Sequence, residues 1–173
     1  MDVKSAERLI RDVPDFPKPG IVFKDITPLL QDPAGWRAVV DEMCAQVGSA
    51  QASAMVGVES RGFLFAAPMA YQLNVGLALV RKPGKLPADT LTQEYALEYG
   101  TDRLEVHRDA FEPGQPVIIV DDVLATGGTA EAAAALVREA GAHVVGFAFL
   151  VELSFLGGRE RLGGVPVHSV YRY

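Results

Sequence analysis

Val117-Ile118-Ile119-Val120-Asp121-Asp122-Val123-Leu124-Ala125-Thr126-Gly127-Gly128-Thr129 is the stretch that decides how this chain is read. Its first four residues are β-branched and wholly apolar, the composition of a strand buried on both faces of a parallel sheet. Two acids follow, then an apolar pair, then small residues that open into the helical, alanine-rich pattern of about 128–140. The backbone amides from Ala125 through Thr126, Gly127, Gly128 and Thr129 lie where a helix begins. Amides there have no helical partner and meet the positive end of the helix dipole, so such a turn suits an anion such as phosphate. Asp121 and Asp122 would repel phosphate and suit instead the two hydroxyls of a ribose close by. The stretch is not a Walker A loop, because no Gly-Lys-Ser/Thr follows at the required spacing, and it lacks the glycine spacing of a dinucleotide fingerprint. A plainer account, two surface acids before a helix cap, stands beside the phosphate reading.

Outward from this stretch the chain alternates. Ala54–Val58 reads as a buried strand followed by a helix to about Leu73, Gly76–Val80 as a second strand, and Val144–Val151 as another after Gly141 ends the helix. Repeated strand–helix–strand units predict an α/β fold, a mostly parallel twisted sheet with helices on both faces. Ligands of such sheets bind beyond the carboxyl ends of the strands. Residues 5–12 read as an amphipathic helix, three prolines break the segment 14–20, and a further helix is expected over about 33–47. The stretch 82–100 has prolines, glycines and charges without a period. It is expected to be a long loop with a hairpin, a kind of segment that usually carries function, with a strand over 104–107 leaving it.

The 173 residues fit one domain, taken as 1–173, and 49% hydrophobic with 22% charged residues predicts a globular interior. A net charge of −6 argues against nucleic acid as a partner, so affinity for anions must be local. Cys44, the single cysteine, excludes an internal disulfide and fits a reducing cytoplasm; in its apolar-periodic run it reads as a small buried hydrophobe. The N-terminal residues do not read as a signal peptide, and no apolar run is long enough for a bilayer. His107, His143 and His168 match no metal or triad spacing.

The segment 117–129 resembles the thirteen-residue phosphoribosyl pyrophosphate motif of the type I phosphoribosyltransferases. Four further segments, 15–27, 59–65, 81–87 and 97–101, together with Val151-Glu152-Leu153, resemble the adenine phosphoribosyltransferases within that family. The similarity runs in order over almost the whole chain. It implies transfer of the 5-phosphoribosyl group of phosphoribosyl pyrophosphate to adenine N9, giving AMP and pyrophosphate in purine salvage. It also implies magnesium, held mainly through substrate oxygens, a homodimer, an N-terminal hood over the base (about residues 1–30) and a mobile catalytic loop.

The resemblance assigns roles residue by residue. Asp121 and Asp122 would hold the ribose, and Ala125–Thr129 the 5′-phosphate. Glu59, Ser60 and Arg61 follow a strand and open a helix; the resemblance makes them a pyrophosphate loop, often with a cis peptide between the first two, where the plain reading is a helix start with a solvated arginine. Arg81, Lys82 and Lys85 read alone as a solvated loop; the resemblance turns them toward pyrophosphate, able to reach a neighbouring subunit's site. Phe23, otherwise a core residue, would stack on adenine, with Leu153 closing the other side and the backbone of Val22 and Lys24 reading the purine edge. Many members carry arginine at the position of Lys24, so a guanidinium contact there is lost. Glu98 and Tyr99 would be surface residues without the resemblance. With it, Glu98 serves proton transfer at the purine and Tyr99 gates the pocket, while Arg61 supports catalysis.

Two rivals stand. One is a phosphoribosyltransferase for hypoxanthine, guanine, xanthine or orotate. The other is a regulator that senses the sugar diphosphate without catalysis, which would want an added nucleic-acid-binding element.

Overall fold

The computed structural model describes residues 1–96 and 100–173. It separates into two compact units, Met1–Glu42 and Met43–Tyr173.

In the first unit a short helix α1 (Val3–Ala6) is capped by Asp2, whose carboxylate accepts the Ser5 N–H at 2.6 Å, and a 3-10 turn covers Glu7–Leu9. The expected helix over 5–12 therefore stops early. By Arg11 the chain is already a strand, β1 (Arg11–Pro14), antiparallel to β2 (Val22–Asp25). The reason is charge across the ladder. Arg11 stands opposite Asp25 and donates to it at 2.6 Å, and Lys24 stands opposite Asp12 and donates at 2.6 Å. Helix α2 (Thr27–Gln31) carries proline in its first turn, and α3 (Pro33–Val47) begins in this unit.

The second unit is built on five parallel strands in the order β4-β3-β7-β8-β9. These are β3 (Ala54–Val58), β4 (Gly76–Val80), β7 (Pro116–Leu124), β8 (His143–Glu152) and β9 (Val167–Arg172), with β5 (Thr90–Ala96) and β6 (Thr101–His107) forming a separate antiparallel hairpin. Val117–Val120 are fully buried, as the apolar composition of that run requires of the central strand. Helix α4 (Gly62–Leu73) joins β3 to β4 on one side of the centre, and α5 (Gly128–Glu139) joins β7 to β8 on the other. Right-handed crossovers running in opposite directions from the middle of a sheet place their helices on opposite faces, which is the predicted layering.

Where the sequence predicts a long loop with a hairpin, the described residues form the strands Thr90–Ala96 and Thr101–His107, the second containing the strand expected over 104–107. Leu91, Leu104 and Val106 are buried in the same core as the central sheet, and this burial holds the hairpin strands. β9 is an addition to the expected strands: it follows Gly163-Gly164-Val165-Pro166 and pairs with β8 from Phe147 to Glu152.

Candidate active site

The carboxyl ends of β3 and β7 lie side by side, and each leads into a helix. After Leu124, three residues turn the chain into α5. Gly127 has φ +86°, and a Cβ there would stand 2.6 Å from the Gly158 carbonyl oxygen, so both conformation and space demand glycine. Gly158 is in the same position toward the Ala125 carbonyl. The backbone of the 3-10 segment Gly158–Leu162 therefore lies directly against the turn. The first bond of the helix runs from the Glu131 N–H to the Gly127 carbonyl at 2.9 Å. That leaves the amides of Gly128, Thr129 and Ala130 without an intrahelical acceptor, the arrangement expected to receive phosphate.

The 3-10 segment is itself clamped. Glu152, 5% exposed at the end of β8, accepts both arms of Arg159 at 2.9 and 2.5 Å and the Ser169 hydroxyl at 2.6 Å. Arg161 pairs with Glu131 of the first turn of α5 at 2.7 Å.

On β7, just before the turn, stand the two acids. Asp122 is 4% exposed and Asp121 partly exposed. Burial and the neighbouring Asp122 carboxylate push Asp121 well above the usual carboxylate range. Burial raises Asp122 as well, opposed by Arg61, whose Nε meets its Oδ2 at 2.8 Å. The next residue, Gly62, begins α4 so close to β7 that a Cβ would lie 2.6 Å from the Val120 carbonyl and 3.0 Å from Asp121 Oδ1. Arg61 is thereby delivered to the acids by a contact that only glycine permits.

Glu59 leaves β3 with a cis peptide to Ser60, as the resemblance implied. Its carboxylate accepts Arg81 Nε at 3.1 Å, Arg81 Nη2 at 3.2 Å and the Lys82 N–H at 2.9 Å. These bonds, Arg81 foremost, hold Glu59 below its ordinary value in spite of burial. Glu59 thus ties the start of the basic segment, Arg81 and Lys82, to the end of β3. Arg81 also donates to the Lys85 carbonyl at 3.2 Å and lies over the Phe63 ring at 5.9 Å, while Lys85 is exposed. Lys82 pairs with Asp102 and reaches the Tyr95 hydroxyl at 3.5 Å.

The structure brings residues 59–61, 81–82 and 121–129 to one end of the sheet in the second unit. Leu153, half-buried, is joined there through its N–H to the Leu124 carbonyl at 2.9 Å. Val22, Phe23 and Lys24 belong to β2 of the first unit, where Phe23 meets Phe16 edge to face at 5.2 Å and the Lys24 ammonium is engaged by Asp12. Glu98 and Tyr99 lie outside the described residues. Tyr95, Asp102, Gly158 and the Glu152–Arg159 clamp were missed in the sequence; the Gly157-Gly158 pair before a basic run was the one local sign. Among the described residues no three His, Cys, Asp or Glu side chains converge as a metal-binding group.

Comparison with known proteins agrees with this geometry. The family described as Phosphoribosyl transferase domain matches residues 34–162. The adenine phosphoribosyltransferase of Synechococcus sp. is 54% identical over 173 residues, covering 100% of this chain and 99% of that protein. The crystal structure of adenine phosphoribosyltransferase from Thermoanaerobacter pseudethanolicus superposes with a TM-score of 0.96 at 49% identity, over 99% of each chain. The Saccharomyces cerevisiae enzyme, solved with an imino-altritol bisphosphate and adenine, gives 0.91 at 37% identity over 97% of each chain.

Proposed function

The chain belongs to the phosphoribosyltransferase family, and from that premise we propose that it is an adenine phosphoribosyltransferase, which makes AMP and pyrophosphate from adenine and phosphoribosyl pyrophosphate. The observation that carries this is the turn at the start of α5. Its free amides suit a 5′-phosphate and lie directly after two acids suited to a ribose diol.

In the reaction the bond from ribose C1 to the diphosphate oxygen breaks and its electron pair leaves with pyrophosphate. The C1–N9 bond forms from the lone pair of adenine N9, and the displaced ring proton passes to Glu98. Positive charge develops on the sugar as in glycoside chemistry. Asp121 and Asp122 hold its hydroxyls and stabilise that charge. Thr126–Thr129 and Ala125 anchor the 5′-phosphate, and Ser60, Arg61, Arg81, Lys82 and Lys85 face the leaving diphosphate, with Glu59 holding Arg81 in place. For the base, the family resemblance marks Phe23 for stacking, Leu153 as its apolar counterpart and the backbone of Val22 and Lys24 for the purine edge. Lys24, engaged with Asp12, leaves that reading to the backbone. Tyr99 gates the pocket and excludes water. With no converging metal ligands of its own among the described residues, the chain would take magnesium as a complex with donor oxygens, where the ion neutralises diphosphate charge.

The domain reading is 1–173, with the N-terminal residues as a base-binding hood; the family match crosses the boundary at Glu42. We place the enzyme in the cytoplasm, a compartment that suits a chain whose single cysteine, Cys44, is buried. Among the described residues no helix is long and apolar enough to cross a membrane. A homodimer is supported by β4, an edge strand that leaves Leu77 45% and Leu79 37% exposed beside α4 with Tyr71 90% exposed, and leads straight into Arg81. Sedimentation at micromolar concentration is expected to give twice the chain mass.

The deciding assay is AMP formation from adenine, the donor and magnesium, run beside hypoxanthine, guanine, xanthine and orotate. Faster turnover with any other base would overturn the assignment of adenine.

A further inference from the structure

Lys82 has neighbours that the proposed reaction does not use. Tyr95 and Asp102 are directly opposed across the β5–β6 ladder, so their side chains share one face of the hairpin. On that face Asp102 pairs with the Lys82 ammonium and accepts the Tyr95 hydroxyl at 3.2 Å. The Tyr95 oxygen accepts from Lys82 at 3.5 Å and from the Thr129 hydroxyl at 3.5 Å. One phenol, accepting twice and donating once, uses its full capacity to connect a lysine to the phosphate turn. The ring contributes too: the ammonium stands 5.9 Å from its centroid, and its edge comes within 3.9 Å of where a Gly128 side chain would begin.

An ammonium on a four-carbon stem is a mobile charge, and ordering it at the moment of binding costs rotamer freedom. Here that ordering precedes the ligand. An ammonium has three donor directions. Asp102 and Tyr95 take two and leave one for an incoming oxygen. Burial works against the charge, yet Asp102 and Tyr95 together hold Lys82 above its ordinary value, so it enters the encounter as a cation.

We propose that Asp102 and Tyr95 are positioning residues that fix the Lys82 ammonium beside the α5 N-terminus, ready for the diphosphate of the donor. The proposal deepens the assigned reaction and rests on it. It makes a demand that a purely structural hairpin contact does not: the benefit goes to the donor and to pyrophosphate, not to adenine, and it passes through Lys82.

The test is steady-state kinetics of the full chain with Asp102→Asn, Tyr95→Phe, Lys82→Met and the Asp102→Asn/Lys82→Met pair, together with calorimetric binding of magnesium pyrophosphate. Asp102→Asn is expected to raise the donor KM and weaken pyrophosphate binding by about fivefold, the upper end for a partly exposed ion pair. Tyr95→Phe, which keeps the ring, moves both in the same direction. The adenine KM stays put, and Asp102→Asn adds nothing in the Lys82→Met background. An unchanged donor KM in either single variant, a matching rise in the adenine KM, or a penalty that persists without Lys82 would overturn the proposal. Wild-type AMP formation is read in the same experiment. Its absence would sink the reaction itself, whereas its presence with unmoved variants would sink only the positioning role.

Discussion

The Arg61 guanidinium meets the Asp122 carboxylate at 2.8 Å and joins the residue before α4 to the acid pair at the end of β7. Two adjacent carboxyls, one partly exposed and one buried, share that cation, and both are raised by burial. Without it they would hold their protons to higher pH. A protonated carboxyl is a poorer acceptor for a ribose hydroxyl and no counter-charge for a developing sugar cation. Arg61→Met is therefore expected to lower kcat/KM for the donor by about a hundredfold and to move the acid limb of its pH profile upward. Profiles of both proteins at saturating adenine decide the matter: an acid limb left in place would separate Arg61 from the ionisation of the pair.

Gly127→Ala puts a side chain at φ +86° and onto the Gly158 carbonyl. The expected loss is about 3 kcal/mol of stability, from the left-handed backbone and the forced separation of two main chains. Urea denaturation measures the loss. Ribose 5-phosphate should raise the melting temperature of the wild type and fail to do so for the variant, because the amides that would receive its phosphate have moved.

Glu152 gives a pH dependence with a definite sign. Hydrogen bonding from Arg159, ahead of the opposing burial, holds its carboxyl below the ordinary 4.5. The stabilisation is complete above about pH 4.5 and disappears as pH falls through the lowered value. Glu152→Gln should cost about 2 kcal/mol at neutral pH, less than a fully buried pair because the Arg159 side chain is 36% exposed. Melting temperatures of the two proteins should converge in acid. A gap that widens there would reverse the assignment.

Glu98→Gln is expected to lower turnover more than it changes the donor or adenine KM, because the change removes a proton acceptor and keeps the shape. Single-turnover kinetics with and without the substitution would expose this, and wild-type turnover would remove Glu98 from the chemistry.

The parts of the site legible in the sequence are those that local composition dictates. Val117–Val120 had to be a buried strand, and Thr126–Thr129 could only be a turn into a helix. Of the hairpin strands, 101–107 is legible in the sequence at its end, 104–107, whereas 90–96 is legible only as part of a loop with a hairpin, since the order of the pair comes from burying Leu91, Leu104 and Val106 against distant strands. The N-terminal segment shows the converse: helical periodicity over 5–12 yielded to pairing of Arg11 with Asp25 and Asp12 with Lys24, partners that no local window contains. Tyr95 and Asp102 were invisible for the same reason. A tyrosine and an aspartate seven positions apart mean little until a ladder sets them opposite each other and a lysine from another strand end joins them.

The meeting of Gly127 with Gly158 also bears on how such a sequence can change over time. Where side chain meets side chain, as in Arg81 with Glu59, a mutation on one partner can be answered by a mutation on the other. Main chain against main chain admits no such reply, because no substitution elsewhere shrinks a carbonyl group. Libraries that diversify this scaffold should therefore return compensated variants around the basic segment and none at these two glycines, whose alphabet has a single letter.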